Sequence, residues 1–139
     1  MLNEYQRRSL KITLSIVEKS LRDIEKILNE NDHSGVLYTF SNNIPPTAKE
    51  KASLLISKTY EGIRNVAERF NLGKEFKYAN TEAFAKLPHC WEMLEDSKAG
   101  KLRRYGAVTT GLEEALDPHL NIIIDYILKI EHLLRGIQK

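Results

Sequence analysis

A single cysteine, Cys90, stands in a chain of 139 residues, so no internal disulfide can brace the fold. That absence points to a reducing compartment and to a core held together by burial alone. Long apolar runs are missing as well. The longest stretches of branched apolar side chains, Leu54 to Ile56 and Ile122 to Ile124, fall far short of the ~18 residues a membrane span requires. The N-terminus turns charged at Arg7 and Arg8 before any apolar stretch develops, so no signal peptide and no membrane partner are expected, and the anticipated location is cytoplasmic. An excess of one charge is also lacking. At a formal net charge of +2, a surface built throughout for nucleic acid is excluded, and any such role must come from a local patch.

Chemical signatures are equally sparse. The seven glycines form no Gly-x-Gly-x-x-Gly, Walker-type or Gly-x-Ser-x-Gly arrangement. Glu30 and His33 have the Glu-x-x-His spacing of a carboxylate-bridged metal bundle once, but the second pair such a centre needs is missing. His89, Cys90 and Glu92 lack the paired spacing of a zinc site. On a helix His89 and Cys90 would point ~100° apart, which denies the thiol its neighbour as a base. No arginine lies four to six residues ahead of a histidine, the spacing of small helical ribonuclease toxins. No cofactor, metal or catalytic constellation is therefore expected, and the chain reads as a non-enzyme.

What is present is helical periodicity. Apolar residues make up 42% and charged residues 29% of the chain, a globular composition in the size range of one domain, residues 1–139. In the first helical segment Leu10, Leu14, Val17, Leu21, Ile24 and Leu28 alternate steps of four and three, the mean spacing of packed bundles. After a break near Ser34-Gly35, residues Val36 to Phe40 read as a crossover that tucks Leu37, Tyr38 and Phe40 against the bundle. Pro45-Pro46 keeps the chain out of the helical region up to that point. Thr47 and Glu50 then form a capping-box pair for a second helix, whose core face runs Ala52, Ile56, Ile63, Val66, Ala67 and Phe70. Gly62 in mid-helix suggests a close crossing, and Asn71-Leu72-Gly73 a stop.

A third helix opens at Asn80, carries Phe84, Leu87, Trp91 and Leu94 on one face, and must kink or split at Pro88. Thr110 and Glu113 suggest a short helix ending at Leu116, with Asp117 and Pro118 opening the last one. In that last helix Leu120, Ile123, Ile127, Ile130, Leu134 and Ile137 form the expected inward stripe, with apolar residues on both sides of it. No segment alternates like a strand, and no repeat is evident. The expected architecture is all-α: a four-helix bundle with a kinked third helix and short helical connectors.

Two features bear on function. The first and last helices carry more apolar arc than the ~100° one dry face needs. The interface candidates are therefore Ile12, Ile16, Trp91, Ile122, Ile124, Tyr126 and Leu128, and the expected role is a non-catalytic module that self-associates or docks a partner protein. The alternative is a nucleic-acid-binding accessory subunit. Lys98, Lys101, Arg103 and Arg104 stand together with no acid from Ser97 to Gly106, followed by Tyr105 as a candidate base-stacking ring. The bland reading of the same cations is pairing with the acids of the next stretch, Glu113, Glu114, Asp117 and Asp125.

Overall fold

The computed structural model describes residues 1–137, and these are overwhelmingly helical. The chain divides into two compact units, Met1–Lys74 and Glu75–Lys139.

The first unit is a helical hairpin. Helix α1 (Glu4–Leu28) opens on a reciprocal cap: Asn3 Oδ1 accepts from the Gln6 backbone at 2.8 Å while Gln6 Oε1 accepts from the Asn3 backbone at 3.0 Å. At its other end, Asn42 Nδ2 donates to the carbonyls of Leu28 and Glu30 at 3.0 and 2.8 Å. The Asn42 backbone N–H reaches Asp32 Oδ1 at 2.7 Å. One side chain from fourteen residues downstream thus satisfies carbonyls that the helix end leaves open. Between them a small hairpin pairs β1 (His33–Ser34) with β2 (Thr39–Phe40), His33 opposite Phe40. The expected inward tuck does not occur. Val36 and Leu37 are 99% and 95% exposed at the hairpin tip, and only Phe40 is partly covered. The turn closes on itself, with the Gly35 N–H bonded to the Tyr38 carbonyl at 2.9 Å, so its tip side chains have nothing to pack against.

Helix α2 (Pro46–Arg69) starts two residues earlier than a Thr47 cap would set it, and the Thr47–Glu50 capping box does not form. Pro46 holds the first helical position with its φ already fixed, which places Thr47 inside the first turn. The stop at Asn71 is a left-handed C-cap: Asn71 has φ 52°, and the Leu72 N–H reaches back to the Ala67 carbonyl at 2.9 Å. That motif turns Leu72 inward, where it joins Leu28 and Ile56 as the buried residues of this unit. Gly62 marks no crossing, since it is exposed and a Cβ there would meet nothing within 4 Å.

In the second unit one helix is the post against which the others lean. Pro88 splits the expected third helix into α3 (Ala79–Phe84) and α4 (Leu87–Glu95), with the proline in the first turn of α4 where its missing N–H is harmless. Helix α5 (Ala99–Leu102) and a 3-10 turn (Arg103–Tyr105) follow. Helix α6 (Leu112–Arg135) then runs without a break through Pro118, and α3, α4 and α5 all pack on it. The anticipated helix boundary at Asp117 is therefore absent, and Thr110 caps nothing, the N-cap being Gly111 at φ 91°. Asp117 instead accepts the Ala99 backbone N–H at 2.9 Å, tying α5 to the post. Asn80 likewise does not cap α3. Its Nδ2 lies 3.4 and 3.2 Å from the carbonyls of Leu134 and Ile137, at the far end of α6.

Candidate interaction surface

The inward face of α6 is set by a residue the apolar pattern passes over. Glu131 is only 7% exposed and accepts a hydrogen bond from Trp91 Nε1 at 3.1 Å. This bond lets the carboxyl group sit inside without an unsatisfied acceptor. On the same face Leu120, Ile124, Ile127 and Leu134 turn inward with Glu131. Three members of the expected stripe, Ile123, Ile130 and Ile137, face outward instead, at 45%, 44% and 53% exposure. The one sequence signal for this was available: Glu131 stands four residues after Ile127 and three before Leu134.

The outward side of α6 is apolar from Ile122 onward. Ile122, Ile123, Tyr126, Ile130 and Leu133 form a strip with no charged side chain in it, and Ile137, just past the helix end, is also exposed. On α1 the corresponding outward residues are Tyr5, Ile12, Ile16 and Ile27. Among the interface candidates, Ile12, Ile16, Ile122 and Tyr126 thus lie on outward apolar faces. Leu128 is partly exposed on another side of α6, where Asp125, Leu128, Lys129, His132 and Leu133 line an open depression of about 600 Å³. Ile124 is turned into its own unit at 5% exposure, and Trp91 is half-buried with its ring nitrogen bonded to Glu131.

Among the described residues no side chain is completely buried.

The basic segment is partly committed. Lys98 pairs with Glu95 at 2.9 Å, and Arg104 donates to the Asp96 carbonyl at 3.2 Å while lying 5.5 Å from the Tyr105 ring centre. The carboxylates of Glu113, Glu114, Asp117 and Asp125 enter no ion pair with these cations. Lys101, Arg103 and Tyr105 are exposed, Tyr105 at 79%.

The remaining reactive groups are dispersed. Cys90 is half-buried, its thiol directed at the Lys86 carbonyl at 3.3 Å, and His89 is exposed. The ring of His33 is spoken for on both sides, by the Asn31 carbonyl at 3.0 Å and the Tyr38 hydroxyl at 3.1 Å. Among the described residues no three His, Cys, Asp or Glu side chains gather as a metal site, and no helix is long and apolar enough to cross a membrane. One hydroxyl is electrostatically distinctive. Tyr60 donates a hydrogen bond to Glu25 under the Arg22 guanidinium, 4.4 Å above its ring. Partial burial, then the bond to Glu25, raise its pKa above the usual phenol value. No known protein family matches the sequence, and comparison with curated proteins and with solved structures finds nothing similar.

Proposed function

We propose that this protein is a non-catalytic helical interaction module that works by covering the outward apolar face of its first or last helix with another protein surface. The observation that carries this reading is the strip on α6. Five large side chains of α6, Ile122, Ile123, Tyr126, Ile130 and Leu133, face away from the short helices that pack on it. In the same reading, the four-helix packing suggested by the sequence is reached between molecules, when neighbouring helices cover these faces. The test compares the wild-type chain with Tyr126→Glu and Ile16→Glu variants of unchanged helix content. Loss of self-association, or of a specifically captured protein, in either variant supports the reading; identical behaviour of all three overturns it.

A second reading, a nucleic-acid-binding accessory surface, rests on exposed Lys101 and Arg103 beside an exposed Tyr105. Binding carried by these phosphate contacts must weaken steeply with salt. Single-stranded RNA or DNA affinity that is absent at low salt removes it.

A further inference from the structure

We draw no further inference here: the strongest candidate, the exposed apolar strip of Ile122, Ile123, Tyr126, Ile130 and Leu133 along α6, is an unpartnered face, and nothing in the structure shows what covers it.

Discussion

The two units solve the same problem, a helix that must bury one side, in different ways. In Met1–Lys74 two long helices lie against each other and are latched by exposed or half-exposed polar groups, Arg22, Glu25 and Tyr60. In Glu75–Lys139 a single helix is surrounded on one side by three short segments and is oriented by a buried carboxylate. The first arrangement tolerates loss of any one contact, because each polar group remains near water. The second concentrates its specificity in one bond, because an unpaired buried carboxylate is costly. In the second unit the inward face of α6 carries this buried carboxylate, and its opposite face carries the exposed apolar strip.

This contrast is open to attack at several points. The largest effect is expected at Trp91. Trp91→Ala removes the half-buried ring and leaves Glu131 without its donor, which should cost about 3 kcal/mol in chemical denaturation. Next is Asn42→Ala in the first unit, which uncaps the end of α1 and should cost about 1–2 kcal/mol in the same assay. A cost equal to that at Trp91 would erase the claim that the second unit concentrates its specificity. Gly62→Ala should go the other way, stabilising by about 0.5–1 kcal/mol, because the site is open helix surface. A destabilised variant would restore the close crossing suggested by the sequence.

Smallest in its effect on the fold is Leu133→Glu, expected to change unfolding free energy by no more than about 0.5 kcal/mol, because that side chain is 70% exposed. Tyr60 gives the contrast a pH dependence. Its pKa is raised in the folded state, so its contribution to stability is present below the ordinary phenol value near 10 and is lost as pH rises through the raised one. Urea midpoints at pH 9 and pH 11 should therefore fall more steeply for wild type than for Tyr60→Phe. Parallel slopes would mean that the Glu25 bond does not couple the two helices.

Much of the helical content was legible from periodicity. The α1 stripe is correct at Leu10, Leu14, Leu21 and Leu28, with Val17 and Ile24 at its half-exposed margin. The stop at Asn71 and the break at Pro88 are likewise where the residues place them, because left-handed caps and proline act through local backbone sterics. The capping boxes at Thr47 and Thr110 were misleading for a related reason. A neighbouring proline or a left-handed glycine moved the helix start, and the side chain that looked like a cap lost its position. Of the interface candidates, the α1 pair and Ile122 and Tyr126 follow from surplus apolar arc. Ile124 does not, since arc alone cannot tell which part of a wide stripe faces in.

The sequence by itself determined which segments become helices, where proline and glycine interrupt them, and that the two end helices are apolar over more than one side. Those properties depend on residues within a turn or two of each other. Only the tertiary structure decided the rotation of α6, the continuity of that helix through Pro118, and the caps supplied by Asn42, Asn80 and Asp117 to helices far away in sequence. The three caps each depend on a hydrogen bond between groups brought together by packing, and no local spacing encodes such a meeting.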